Sequence, residues 1–226
     1  MGGERGGRQR IPRPASARPG SPAPWARLEP AALSVMLQQV RDRCAALPEP
    51  EPAEVLVPGS RAAAVLIAVF EELGEARVIL TKRTDSMPSH RGEIVFPGGK
   101  LHPGVDALPV DAALREAEEE IGLASDDVEV AAELDGIATF ASRFTITPFV
   151  GLLPGRPRLV LNADEVERVF DVAIADLLAD GTYREEQWEI GGREQAVSFF
   201  DLPGETVWGA TARILTGFLA HLVADR

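Results

Sequence analysis

The chain has 226 residues, of which 45% are apolar and 26% are charged, a composition typical of a globular protein with a full core. Its net charge is −12, and because residues 1–24 hold five arginines and one glutamate, the remainder carries about −16. Such an acidic body excludes nonspecific nucleic-acid binding, which needs a basic face. No apolar run reaches the roughly 18 residues of a membrane helix, and one cysteine, Cys44, excludes an intrachain disulfide. We therefore expect a cytoplasmic protein with no nucleic-acid and no membrane partner.

The first part of the chain is predicted to lie outside the main domain. Residues 1–24 are rich in Gly, Pro, Arg and Ser and lack hydrophobic periodicity, which predicts a disordered extension. A targeting presequence is the alternative, although the Pro and Gly residues disfavour the amphipathic helix that it needs. Residues 25–59 are predicted to be an N-terminal helix and linker, with apolar residues at helical spacing over 30–47 and Pro48 ending the helix. Residues 60–226 are predicted to form the functional domain.

Strand patterns dominate the rest of the chain. The run over residues 62–70 is rich in Val and Ala and is typical of a central strand. Further strands are predicted over 76–82, 94–96, 128–140, 145–153 and 166–172, and in a hairpin of 183–190 with 195–201. Helices are predicted over 111–121, 174–179 and 207–223. Strands mixed with few helices indicate an α/β fold with a mixed sheet.

The helix predicted over 111–121 carries the most informative pattern in the chain. A helix turns about 100° per residue, so Glu116, Glu119 and Glu120 share one face. Like charges at this spacing destabilise a helix, and a bound cation removes that penalty. Clustered hard oxygen ligands suit Mg²⁺ or Mn²⁺ carrying phosphate. A solvated surface helix is the alternative, and the Phe-Pro-Gly-Gly turn at 96–99 favours a site.

Residues 99–123 resemble the Nudix box, G-x5-E-x7-R-E-U-x-E-E-x-G-U, where U is a bulky aliphatic residue. The second half of the pattern matches residues 115–123, with Ala117 at the first U position. The resemblance implies an α/β Nudix fold, an α/β/α sandwich with a mixed sheet and a catalytic loop-helix-loop. It also implies hydrolysis of nucleoside diphosphates linked to another moiety, with Mg²⁺ or Mn²⁺ as cofactor.

The resemblance further implies roles for individual residues. The expected metal ligands are Glu116, Glu119 and Glu120, and the expected catalytic residues are Glu116, Glu119 and Arg115. In this scheme Arg115 orients a neighbouring carboxylate through a charge-assisted pair. The general base is left open among Glu116, Glu119 and Glu165, and Glu165 equally fits a plain loop charge.

The first half of the box departs from the pattern. Gly99, whose backbone carbonyl is a further candidate ligand, precedes Arg115 by 16 positions where the pattern has 14. Asp106 is the best candidate for the first Glu of the box, and it lies nine rather than eight positions before Arg115. The loop therefore contains an insertion, which is tolerated because closure entropy grows slowly with loop length. The role of Asp106 is left open.

A second pattern lies upstream, formed by Thr81, Arg83, Gly92 and residues 96–99. It is similar to the signature of the coenzyme A pyrophosphatase branch of Nudix enzymes, although Pro88 stands where that signature has its second Arg. The substrate-binding residues implied by this resemblance are Arg83, Lys100, Gly98 and Gly99.

The sequence thus predicts metal-dependent hydrolysis of the pyrophosphate bond of coenzyme A or acyl-CoA, giving 4′-phosphopantetheine and adenosine 3′,5′-bisphosphate. Two alternatives stay open: a Nudix pyrophosphatase acting on ADP-ribose or another nucleoside diphosphate derivative, and a noncatalytic nucleotide-sensing domain. Sensors of this kind usually lose one or more of the helix acids, and all three are present here. The expected partner is a small-molecule nucleotide, and a homodimer is expected by analogy with Nudix relatives.

Overall fold

A computed structural model describes residues 6–7, 9–28, 34–53, 58–86, 91–139 and 142–224. The chain divides into two compact units, one of Val35–Ala173 and one of Met1–Ser34 with Ile174–Arg226. This division does not coincide with the domain boundary predicted at residue 60. Among the described residues, no helix is long and apolar enough to cross a lipid bilayer.

Strands outnumber helices along the described residues. The strands are β1 (Arg18–Pro19), β2 (Arg61–Glu72), β3 (Glu75–Arg83), β4 (Ile94–Val95), β5 (Gly98–Lys100), β6 (Glu129–Glu133), β7 (Ile137–Ala138), β8 (Phe144–Leu152), β9 (Val166–Ala173), β10 (Tyr183–Ile190), β11 (Arg193–Leu202) and β12 (Glu205–Trp208). The α-helices are α1 (Leu37–Ala45), α2 (Pro109–Ile121), α3 (Ile174–Leu178) and α4 (Gly209–Val223). The predicted α/β class, with many strands and few helices, is confirmed.

The unit of Val35–Ala173 is built on one mixed sheet. Its main path runs β4–β3–β2–β8–β6, while β9 pairs with β3, β5 with β2 and β7 with β8. β2 and β8 are parallel, and the other pairs are antiparallel. Because β2 has neighbours on both sides, its residues 66–69 are fully buried, which explains the unbroken apolar run that predicted a central strand.

Helix α2 packs its apolar side against β2. The buried residues of this cluster alternate along β2 and recur at helical spacing in α2: Ala64, Leu66, Ala68, Phe70, Ala112, Ala113, Ala117 and Ile121. Burial of the Ile121 side chain alone stabilises the packing by about 2 to 3 kcal/mol. This packing fixes the rotation of α2, and with it the direction of its acidic face.

Local sequence defines both ends of α2. Pro109 lies in the first turn, where its missing N–H leaves no helical hydrogen bond unmade. Asp111 Oδ2 accepts a hydrogen bond of 2.8 Å from the backbone N–H of Leu108, which fixes the entry of the chain. Gly122 ends the helix in the left-handed conformation, with φ of 66°. The predicted helix is confirmed and begins two residues earlier than expected.

The other unit contains an antiparallel sheet in the order β1–β10–β11–β12. Strands β10 and β11 form the predicted hairpin, and its two-residue turn is Gly191-Gly192 with φ of 60° and 76°. Two consecutive positive φ angles match the twist of the flanking strands, and glycine adopts them without strain.

The N-terminal residues of this unit are folded against its sheet. Arg18–Pro19 pairs with β10, and Ile11 packs on the cluster around Trp188. Trp25 is 4% exposed and donates its indole N–H to the carbonyl of Leu178 at 3.1 Å. The prediction of disorder is therefore wrong for the described residues between 6 and 24. Composition misled it, because Ile11 and Ala17 pack on a cluster of Trp188, Val197 and Phe199, more than a hundred positions away along the chain.

The largest differences from the predicted boundaries concern three elements. The strand predicted over 128–140 is split into β6 and β7, which both pair with β8, and between them the Gly136 N–H donates to the carbonyl of Glu51. Trp208 was predicted in the closing helix but is the last residue of β12, where it pairs with Phe199 of β11. Helix α4 begins at the next residue, Gly209. Of the helix predicted over 30–47, only residues 37–45 form α1; residues 34–36 and 46–47 are described and lie outside the helix, and residues 30–33 lie outside the described residues.

Candidate active site

The glycine turn and the acidic helix meet at Gly99 and Glu116. A Cβ atom built on Gly99 would lie 2.4 Å from the carboxyl carbon of Glu116. Only glycine therefore lets the Glu116 carboxylate lie directly against the turn. Since β5 pairs with β2 and α2 packs on β2, the contact is held by the core of the unit.

Arg115 is the centre of a network of carboxylates. Its Nη1 atom donates to Glu116 Oε1 at 2.8 Å and to Glu119 Oε2 at 2.9 Å. Its Nη2 atom also donates to the carbonyl of Lys100 at 3.2 Å. The hydrogen bonds that Arg115 donates to Asp106 and Glu116 raise the pKa of Arg115 above its ordinary value, so the guanidinium stays charged. The orienting contact expected of Arg115 is thus present and joins several carboxylates.

Asp106 is the main partner of Arg115. Arg115 Nε donates to Asp106 Oδ1 at 3.0 Å and Nη2 donates to Oδ2 at 3.2 Å, a two-pronged pair with high directionality. A turn absorbs the inserted residues, since His102 donates its N–H to Asp106 Oδ2 at 2.7 Å and its carbonyl accepts the Asp106 N–H. The Arg115 hydrogen bond lowers the pKa of Asp106. Asp106 is therefore the carboxylate of the loop that Arg115 holds, and its match to the first Glu of the pattern stays a prediction.

Glu120 is the buried acid of the site. Its side chain is 3% exposed, and it accepts the backbone N–H of Gly98 at 3.2 Å. Arg83 Nη1 lies 3.4 Å from Glu120 Oε1. Burial raises the pKa of Glu120 to about 7, against the opposing effects of the Gly98 N–H and Arg83, while Glu116 raises it further. In the absence of a cation, the charge of this carboxylate is costly.

Glu165 also belongs to this neighbourhood. It directly precedes β9, and its carbonyl accepts the N–H of Thr84, the residue after β3. Its charge contributes to raising the pKa of Glu120. Among the described residues, its carboxylate is held only by a long contact of 3.5 Å from Asn162 Nδ2. The sequence left Glu165 open between a site acid and a loop charge. The segment before β9 reaches α2, since the Asn162 N–H donates to the carbonyl of Glu120 at 3.0 Å and the Glu165 N–H donates to the carbonyl of Asn162 at 3.1 Å.

The other predicted residues fall into two groups. Gly98 and Gly99 contact the acids directly, and Arg83 contacts Glu120. Lys100 is exposed and contributes its carbonyl to Arg115. Pro88, which departs from the coenzyme A signature, lies outside the described residues. The partnership of Arg83 with Glu120 was missed, because no local pattern links residues 37 positions apart.

The donor set fits a hard divalent cation. Glu116 and Glu120 both lie at the glycine turn, and carboxylate oxygens are the ligands that Mg²⁺ and Mn²⁺ prefer. Within the described part of the chain, no three Asp, Glu, His or Cys side chains are already arranged to hold a metal ion. Two arginines hold the carboxylates instead: Arg115 binds Glu116, and Arg83 binds Glu120.

The site is thus an acidic helix packed against a glycine turn in a mixed α/β unit. The family model for the NUDIX domain matches residues 60–197, which is more than half of the chain. The chain therefore belongs to the Nudix family, and the relatives described next are named as hydrolases.

Two curated relatives illustrate the similarity. The chain is 42% identical over 164 residues to "Nudix hydrolase 22, chloroplastic" of Arabidopsis thaliana, and the match covers 68% of this chain and 52% of the plant protein. It is 32% identical over 166 residues to "Uncharacterized Nudix hydrolase NudL" of Photorhabdus laumondii, covering 74% of this chain and 87% of the bacterial protein. The chain thus spans about half the length of the plant relative and most of the bacterial one.

Solved structures add a distant similarity. The crystal structure of a MutT/nudix family protein from Enterococcus faecalis is 15% identical in sequence and aligns with a TM-score of 0.49, covering 81% of this chain and 68% of that chain.

Proposed function

We propose that this protein hydrolyses the pyrophosphate bond of coenzyme A or an acyl-CoA, using Mg²⁺ or Mn²⁺ held by the acids of α2. The observation that carries the proposal is the pair of Glu116 and Glu120 at the glycine turn, with Glu120 bound by Arg83 and Glu116 bound by Arg115. A buried carboxylate with a pKa raised to about 7 is typical of a functional site rather than of a stabilising ion pair.

The proposed metal ligands are Glu116, Glu119 and Glu120. Among these three residues, Glu116 and Glu120 are the main proposed ligands, because both carboxylates contact the glycine turn. Glu119 is more exposed, and Arg115 engages its carboxylate. When bound, a divalent ion neutralises the diphosphate and makes a coordinated water more acidic.

The chain's own residues supply the remaining steps. Arg115 holds Glu116 and Asp106 in fixed positions, so the acid face is preorganised. Glu165 is the proposed general base, since its carboxylate lies near Glu120 and has no strong partner among the described residues. It takes the proton of the attacking water. Lys100, which is exposed beside the turn, is proposed to contact the substrate phosphates.

The assignment of coenzyme A rests on the upstream signature. β4 pairs with the end of β3, with Thr81 opposite Val95, so this signature leads directly into the glycine turn. The backbone N–H of Arg83 donates to the carbonyl of Glu93 at 3.0 Å, which holds the Arg83 end of β3 beside that turn. Hydrolysis of ADP-ribose uses the same proposed metal site, so an assay that compares the two substrates decides between them.

Product analysis tests the proposal. Purified full-length protein is incubated with MnCl₂ in H₂¹⁸O with coenzyme A, acetyl-CoA or ADP-ribose, and the products are identified by mass spectrometry. We expect 4′-phosphopantetheine and adenosine 3′,5′-bisphosphate, with kcat/KM for coenzyme A roughly tenfold or more above that for ADP-ribose. The position of the ¹⁸O label identifies the phosphorus that is attacked.

Variants of α2 provide the matched comparison. Glu116→Gln and Glu120→Gln are expected to lower kcat by roughly a thousandfold, because each removes a proposed metal ligand. Glu118→Gln is the control, since Glu118 is exposed on the same helix and binds only Ser125 among the described residues. Near wild-type turnover by Glu120→Gln refutes the metal assignment. If the protein prefers ADP-ribose, ADP-ribose replaces coenzyme A as the proposed substrate. If it binds a nucleotide without any turnover, the protein is a nucleotide sensor.

A further inference from the structure

Arg83 lies at the end of β3, where its side chain faces the buried carboxylate of Glu120. It is the last residue of β3, at a point where the pairing with β9 shifts register between Lys82 and Arg83. Irregularities of this kind re-aim a side chain near a functional site. The Arg83 side chain is only 16% exposed, and its Nη1 atom faces the buried carboxylate of Glu120 at 3.4 Å. Arg83 therefore faces the proposed metal-binding acid.

The Arg83 guanidinium also has an unpaired hydrogen-bond donor among the described residues. Its Nε atom is buried and has no hydrogen-bond partner among the described residues. Arg115, in contrast, donates from Nε, Nη1 and Nη2 to protein oxygens. A buried donor without a partner is costly, and native proteins keep one where another molecule supplies the acceptor. An oxygen of a bound diphosphate is such an acceptor.

The two observations imply competition for Glu120. A divalent cation that binds the Glu120 carboxylate is repelled by the positive charge of Arg83, which pairs with that carboxylate at 3.4 Å. The anionic diphosphate brought to the same place attracts Arg83. One guanidinium thus opposes the cation and favours the substrate.

We propose that the Arg83 side chain neutralises Glu120 in the metal-free enzyme and binds the substrate diphosphate instead when a cation binds that carboxylate. This proposal rests on the proposed function. Arg83 thereby weakens metal binding in the free enzyme and strengthens it once substrate is present. A permanent structural support of Glu120 has the opposite effect, since its loss disorders the ligand and weakens metal binding in both states.

The test measures Mn²⁺ affinity without substrate, by electron paramagnetic resonance of free Mn²⁺ at pH 8.0. Two uncharged variants, Arg83→Gln and Arg83→Met, are compared with Arg83→Lys, which keeps the charge as a point ammonium. The matched control is Arg77→Gln. Arg77 lies in the same strand and forms a similar partly buried pair with Asp171, away from the acidic helix. Thermal unfolding and circular dichroism verify that each variant is folded.

Loss of the charge is expected to tighten Mn²⁺ binding by roughly tenfold in the uncharged variants, because a like charge next to the cation is removed. Arg83→Lys and Arg77→Gln are expected to stay within about threefold of wild type. In steady-state assays, KM for the diphosphate substrate is expected to rise roughly tenfold or more in the uncharged variants. Unchanged or weaker Mn²⁺ binding by a folded uncharged variant overturns the inference while leaving the proposed function intact. Absence of Mn²⁺ binding by the wild-type protein overturns both.

Discussion

The buried charge of Glu120 predicts that the site is a source of instability in the metal-free protein. Because folding raises the pKa of Glu120 from 4.5 to about 7, the folded state binds this proton more tightly than the unfolded state. Each tenfold difference in proton affinity corresponds to about 1.4 kcal/mol, so the ionised carboxylate costs about 3 kcal/mol above pH 7. Glu120→Gln removes that cost and keeps an acceptor for the Gly98 N–H.

The size of this effect depends on pH. Below about pH 4.5 the carboxyl is neutral in both states, and wild type and Glu120→Gln are expected to be equally stable. As the pH rises through about 7 the wild type loses this contribution, and the variant becomes more stable by about 2 to 3 kcal/mol. The melting temperature in EDTA at pH 8.0 is then higher by roughly 6 to 10 °C.

The assay is urea unfolding in EDTA at pH 4.5, 6.0 and 8.0, followed by circular dichroism. Glu119→Gln is the control, because the Glu119 side chain is 56% exposed on the same helix and its neutralisation is expected to change stability by less than about 1 kcal/mol. Added Mn²⁺ is expected to stabilise the wild type and not Glu120→Gln. If Glu120→Gln is no more stable than wild type at pH 8.0, the reasoning about the buried charge is wrong.

Further predictions concern the turn, the loop and the N-terminal segment. Gly99→Ala is expected to change the free energy of unfolding by less than about 1 kcal/mol but to weaken Mn²⁺ binding roughly tenfold, since the Cβ displaces the Glu116 carboxylate. Gly98→Ala, at φ of 150° and against backbone, is expected to lose more than about 2 kcal/mol of stability in the same urea titration. Asp106→Asn is expected to cost about 1 to 2 kcal/mol at pH 7, and because the Asp106 pKa is lowered, this difference disappears as the pH falls through the folded-state value. Trp25→Ala is expected to lower stability by about 3 kcal/mol in the same urea titration, because the buried indole is lost.

Features encoded within a few residues were predictable from the sequence. The hairpin turn at Gly191-Gly192 and the end of α2 at Gly122 follow from backbone conformations that glycine favours. The acidic face of α2 follows from helical spacing, and its buried side follows from the apolar residues opposite. These signals are local, so no knowledge of the rest of the fold was needed.

Features that depend on distant contacts were not predictable. Composition indicated disorder before Trp25, yet Arg13 Nε lies 2.8 Å from the carboxylate of Glu186, 173 positions away. Asp106 was left open because the insertion broke the spacing, and only the turn from His102 brings it to Arg115. Hydrophobic periodicity does not show which strand end lies over a helix. A contact between a strand end and a helix can therefore be predicted only when the sheet register is known.

The proposed function depends on a divalent cation that is bound by Glu116 and Glu120 and engages a diphosphate. Anomalous diffraction from crystals soaked with Mn²⁺ locates this cation independently of turnover. We expect a manganese peak with carboxylate oxygens of both residues at about 2.0 to 2.3 Å, and no peak there in Glu120→Gln crystals. Ordered wild-type crystals without manganese at these two side chains would contradict it.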